Sequence, residues 1–110
     1  MRIPVEAVIP EEKLTRYLLL HREYDDKSRY LAQAGFTHDN PADLLTAIRQ
    51  LTRISAAIYD STNGYGDFYR VEGVLIGVNG QRLAVVTIWL QWRQDGSFHF
   101  VTLKPQKKRG

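Results

Sequence analysis

The chain of 110 residues contains no cysteine. That excludes disulfide staples, thiolate metal sites and a thiol nucleophile. No stretch approaches the roughly 18 apolar residues that a membrane-spanning helix needs. Met1-Arg2-Ile3-Pro4 opens the chain without the apolar core of a signal peptide, and Pro10 follows soon after. A cytoplasmic protein with no membrane partner is expected. No G-x-S-x-G is present, and the glycine-rich Asn63-Gly64-Tyr65-Gly66-Asp67 lacks the lysine and helix of a phosphate loop. Histidine is scarce: His21, His38 and His99 are far apart, and none stands beside a second ligand at metal spacing. The expectation is no metal and no cofactor.

What remains is ordinary for a globular domain, 44% hydrophobic and 25% charged. The length suits one core. With no composition break, residues 1–104 read as a single α+β domain and residues 105–110 as a basic C-terminal tail. Lys104, Lys107, Lys108 and Arg109 carry much of the basic character at that end, for phosphate contact or simply for solubility.

Helical signals come first. Pro10 suits a helix start, Glu11 and Glu12 favour its positive end, and Leu14, Tyr17 and Leu18 form the buried stripe. His21–Asp26 reads as a polar connection. Asp25 or Asp26 can cap a second helix with Tyr30, Leu31 and Ala34 inside and Gly35 as its stop. Asn40-Pro41 opens a third, carried to about Thr52 by Leu44, Leu45, Ile48 and Leu51. Strands follow: Ile54–Ser61, Phe68–Gly77, Arg82–Trp92 and Ser97–Lys104. The pattern predicts about three helices packed on one face of a four-stranded antiparallel sheet that ends in a β-meander.

Asn79-Gly80 and Asp95-Gly96 suit two-residue type I′ hairpin turns, whose central residues both take positive φ. The first turn sets Ile76 against Leu83, Val74 against Val85 and Glu72 against Thr87. The second sets Trp92 against His99, Leu90 against Val101, Trp89 against Thr102 and Thr87 against Lys104. One face then carries Leu75, Ala84, Val86, Ile88, Leu90, Trp92, Val101 and Leu103 and reads as core. The other is apolar at one end and presents Arg70, Glu72, Thr87, Trp89, Gln91, Thr102 and Lys104 at the other.

That polar end is the candidate site. Cations hold a phosphate, hydroxyls hydrogen-bond it, Trp89 offers a stacking surface for a base, and Glu72 can serve as general base. Each residue also has a structural alternative: threonines suit strands, Glu72 can pair with Arg70 or Lys104, and Trp89 can pack under a helix. Lys27 stands apart because a cation beside a helix start opposes the dipole, so another group is expected to hold it there.

The chain resembles a bacterial domain family of unknown function that is abundant in cyanobacteria. The resemblance lies in Lys13-Leu14 with Tyr17-Leu18, Lys27 with Tyr30, Gly35-Phe36, Tyr69, Asn79-Gly80-Gln81-Arg82, Thr87-Ile88-Trp89, Val101-Thr102-Leu103 and Pro105. Such domains look similar to the barnase/EndoU/colicin/RelE group of metal-independent ribonucleases found in toxins and phage-associated polypeptides. The resemblance implies a cleft on the sheet that draws on Lys27, Arg82, Thr87 and Thr102 as catalytic residues. Arg70, Glu72, Trp89 and Lys104 would then bind substrate. One departure is that no histidine lies in the first helix, since His21 falls just after it. Two readings follow. The first is a ribonuclease-like toxin domain acting on RNA. The second is a non-catalytic immunity-like or accessory module that offers the same face to a cognate protein.

Overall fold

The computed structural model describes residues 1–20 and 27–106. Four antiparallel strands form one sheet in the order β1-β2-β3-β4: Ile58–Thr62, Gly66–Ile76, Arg82–Trp92 and Phe98–Pro105. Helices precede them and pack on one face, as the α+β pattern predicts. The first, Lys13–Leu18, is wound as a π-helix, with Leu19 N–H donating to Leu14 C=O at 2.8 Å. The wider turn brings Leu14, Leu18 and Leu19 to the core and leaves Tyr17 exposed. Tyr17 therefore does not belong to the buried stripe.

Helix α1, Ser28–Ala32, buries Leu31, and the turn that follows it closes at Gly35, whose φ of 86° glycine adopts without strain. Asp25 and Asp26, the expected caps, and His21 lie outside the described residues. Helix α2, Pro41–Ile54, buries Leu44, Ala47, Ile48 and Leu51. It runs through Ile54, so β1 starts later than the alternation suggests. Asn40 precedes α2, but its side chain ties the incoming loop, accepting from Thr37 N at 2.7 Å and donating to Gly35 O at 2.9 Å. No helix among the described residues is long and apolar enough to cross a membrane.

Both hairpins are longer at the turn than the two-residue form. In the first, Gly77 N–H donates to Gln81 O at 2.8 Å, Gly80 N–H to Gly77 O at 3.1 Å, and only Gly80 takes a positive φ, 84°. The loop therefore has three residues, Val78–Gly80. Asn79 is held from outside, donating from Nδ2 to Gln33 O at 2.9 Å. A Cβ on Gly77 would stand 2.3 Å from Ala34 O, so the turn that follows α1 sits directly on this hairpin. In the second hairpin, Trp92 N–H donates to Ser97 O and Gly96 N–H to Trp92 O, both at 2.8 Å, which closes a loop of four residues.

The consequence is a register displaced from the expected one on both sides of β3. Leu83 pairs with Leu75, Val86 with Glu72 and Ile88 with Arg70. On the other side Leu90 pairs with His99, and a bulge then brings Ile88 opposite Thr102 and Val86 opposite Lys104. A slip of one residue exchanges the faces of a strand. Leu83, Val85, Thr87 and Trp89 therefore point into the core with Val71, Leu75, Phe98, Phe100 and Leu103. Ala84, Val86, Ile88 and Leu90, expected inside, are half-buried on the opposite face, and Trp92 is 36% exposed there. Val101 falls in the bulge and is half-buried.

Candidate functional site

The face of the sheet opposite the helices is built on β3. Its centre is the apolar row Val86, Ile88 and Leu90, flanked by Arg70 and Glu72 of β2 and by Thr102 and Lys104 of β4. The same register slip that buries Thr87 and Trp89 leaves these four flanking residues together. Neighbouring strands lie about 4.8 Å apart. The β2 and β4 residues therefore face each other across a shallow trough roughly 10 Å wide, floored by the β3 side chains.

A polar network crosses one side of the trough. Arg70 Nη1 lies 3.3 Å from Asp60 Oδ1, and its Nε lies 3.4 Å from Glu72 Oε2. The second Glu72 oxygen accepts from Gln106 Nε2 at 3.0 Å. Gln106 is positioned by its own N–H, which donates to Ala84 O at 3.0 Å and extends the β3–β4 ladder past Pro105. The Arg70 and Glu72 side chains are more than a third exposed, so the pair gives orientation more than stability.

On the other side, Lys27 Nζ donates to Thr102 Oγ1 at 3.4 Å, joining residues 75 apart in the chain. The approach is set by α1, where Tyr30 OH donates to Ala84 O at 2.6 Å. A cation at a helix start thus has a partner on the sheet. Arg70, Glu72, Thr102 and Lys104 share the open face, and Lys27 reaches Thr102 on it from the start of α1.

Three nominated residues stand elsewhere. Thr87 is fully buried, accepting from Trp89 Nε1 at 2.9 Å and donating to Val71 O at 3.2 Å. Trp89 is fully buried as well and packs edge-on against Phe100 at 5.3 Å between centroids. This pair satisfies a polar group within the core. Arg82 is exposed at the start of β3, beside Ile76 and a groove formed with Leu51 and Ile54 of α2. Six residues of strand, roughly 20 Å, separate it from Ile88. Among the described residues no three histidine, aspartate or glutamate side chains are grouped to hold a metal ion.

The sequence sets Trp92 against His99 but assigns Trp92 to the core, whereas the structure keeps the two together at the exposed end of the open face. Trp92 stacks on His99, with centroids 3.8 Å apart and planes 13° from parallel. His99 Nε2 is 2.8 Å from Ser97 Oγ, and Ser97 Oγ donates to Asp95 Oδ1 at 2.6 Å. The Asp95 carboxyl is held below its ordinary value of 3.8, first by that hydroxyl and next by the Ser97 backbone N–H. The readable signal was a tryptophan and an arginine side by side at a hairpin end, Trp92-Arg93.

The chain belongs to the DUF6883 family, a domain of unknown function, whose model matches residues 4–107. No curated protein matches it. Its fold is similar to that of a chain in the contact-dependent growth inhibition toxin–immunity protein complex from Klebsiella pneumoniae 342. The TM-score is 0.72 at 23% sequence identity, over 94% of this chain and 96% of that one. At that identity the likeness is one of fold.

Proposed function

We propose that the open face of the sheet is the working surface of a ribonuclease-like toxin domain that cleaves RNA with its own side chains. The observation that carries this reading is the Lys27–Thr102 contact at 3.4 Å, made across the chain onto the face that holds Arg70 and Glu72. The chemistry is transfer of a phosphodiester to the neighbouring 2′-hydroxyl. Glu72 accepts the 2′-hydroxyl proton as the 2′-oxygen–phosphorus bond forms. Lys27 gives a proton to the departing 5′-oxygen as the phosphorus–5′-oxygen bond breaks. Arg70 and Lys104 offset the charge on the phosphoryl oxygens, and Thr102 hydrogen-bonds one of them. The products are a 2′,3′-cyclic phosphate and a free 5′-hydroxyl end. The likeness in fold to a toxin–immunity complex supports a toxin- or immunity-related role.

A second reading has its own observation. The apolar floor continues into Val74 and Ile76, which are 45% and 50% exposed, and a cognate protein seated there would cover them. RNA binding over a salt series separates the two. The ribonuclease reading expects affinity that falls steeply with salt, with a slope about 0.7 smaller once Lys104→Gln removes one phosphate contact to a single strand. Trimming residues 107–110 from both proteins removes any contribution of the basic tail. A slope unaffected by Lys27→Gln, Arg70→Gln and Lys104→Gln would favour the protein partner.

A further inference from the structure

At the aromatic end of this face the structure forms a recess of about 600 Å³, lined by Gly64, Tyr65, Leu90, Trp92, Arg93 and Gln94. We propose that it is a nucleobase subsite that takes one unstacked base of a single-stranded RNA. It would thereby select which phosphate of the strand reaches Arg70, Lys27 and Thr102. The inference rests on the ribonuclease reading and extends it to substrate: single-stranded RNA gripped by a base outside the reacting dinucleotide.

The size is that of a small-molecule site. Its chemistry is specific to a flat heterocycle. Trp92 is 36% and Tyr65 78% exposed, so both rings are open to a ligand in the recess. Trp92 is also held in place. His99 covers one side of its ring, and the Asp95–Ser97–His99 chain of hydrogen bonds fixes His99. A fixed aromatic surface loses little freedom on stacking. Leu90 supplies an apolar floor, and the Arg93 guanidinium provides donors for the acceptor atoms of a base edge.

The walls are tied to each other. Arg93 N–H donates to Tyr65 O at 2.9 Å, and Arg93 Nη2 donates to Asn63 O at 3.1 Å. Asn63 Oδ1 in turn accepts from Tyr65 N at 2.8 Å and Gly66 N at 3.2 Å. Loop 63–66 thus grips the hairpin end, so that the recess is formed before a ligand arrives. Position also fits. Trp92 lies four residues along β3 from Ile88, about 13 Å, a distance that a short stretch of extended RNA can cover. Phosphate groups would then follow the polar trough while a base occupies the recess.

The test uses the full chain and a 2′-O-methylated oligoribonucleotide of mixed sequence, which lacks the nucleophile and stays intact. The protein has two tryptophans, so its amide spectrum carries two indole N–H signals. The Trp92 signal is expected to move on titration, while that of Trp89, bonded to Thr87 in the core, stays in place. Trp92→Ala and the exposed-loop variant Tyr65→Ala should each weaken binding roughly 5- to 150-fold without altering the salt slope. If the oligonucleotide moves signals of Arg70 and Thr102 but not those of Trp92 and Tyr65, the subsite is wrong and the ribonuclease reading stands. If no signal moves at all, both fall.

Discussion

The indole N–H of Trp89 donates to the Thr87 hydroxyl at 2.9 Å, and that hydroxyl donates onward to the Val71 carbonyl. All of this occurs with no solvent access to either side chain. The threonine therefore allows a tryptophan to occupy the centre of the core with its one polar atom satisfied.

Thr87→Val keeps the shape and removes the acceptor. A buried donor left unpaired costs about 1–3 kcal/mol. Urea unfolding of Thr87→Val should show a loss in that range, and Trp89→Phe with Thr87→Val together should lose less than the sum of the single changes. Additive losses would mean that the hydrogen bond contributes nothing.

Gly66 and Gly64 share a loop and differ in their surroundings. A Cβ on Gly66 would lie 1.9 Å from Gln91 O, whereas one on Gly64 meets nothing within 4 Å. Gly66→Ala should therefore destabilise by about 1–3 kcal/mol or more as the loop is pushed off β3. Gly64→Ala should stay within about 0.5 kcal/mol. Equal effects in thermal melts would contradict the packing of this loop.

The second hairpin carries a pH dependence. The Asp95 carboxyl titrates below 3.8 in the folded chain because Ser97 donates to it from hydroxyl and backbone. Its contribution is then fully present above the unfolded value and is lost as pH falls through the lower folded value. Asp95→Asn should lower the melting temperature near neutral pH, and the gap to wild type should close in acid. A gap that stays constant with pH would remove the charge from the explanation.

The order of elements and the stacking of helices on one sheet face are legible in the sequence because turn residues and apolar periodicity are local. The register is not. β3 alternates between Leu83, Val85 and Trp89 on one side and Ala84, Val86, Ile88 and Leu90 on the other, so both sides look like core. Only the length of each turn decides between them. Asn-Gly serves a two-residue and a three-residue loop alike, and here contact of Asn79 with Gln33 and of Gly77 with Ala34 favours the longer one. In the flanking strands the polar Arg70, Glu72, Thr102 and Lys104 alternate with the buried Val71, Phe100 and Leu103, which is why the four share the open face. Lys27 meeting Thr102 is a long-range fact with one local trace, a cation set against a helix dipole.

The claim that this face cleaves RNA is tested most directly by incubating the pure chain with total RNA in EDTA, beside a Lys27→Met/Thr102→Val double variant. Wild type is expected to produce fragments ending in 2′,3′-cyclic phosphate. The double variant should be slower by about a hundredfold or more, because a positioned acid contributes on that scale, with its urea midpoint nearly unchanged. RNA left intact by the wild-type chain, or cut equally fast by the folded double variant, would contradict the account.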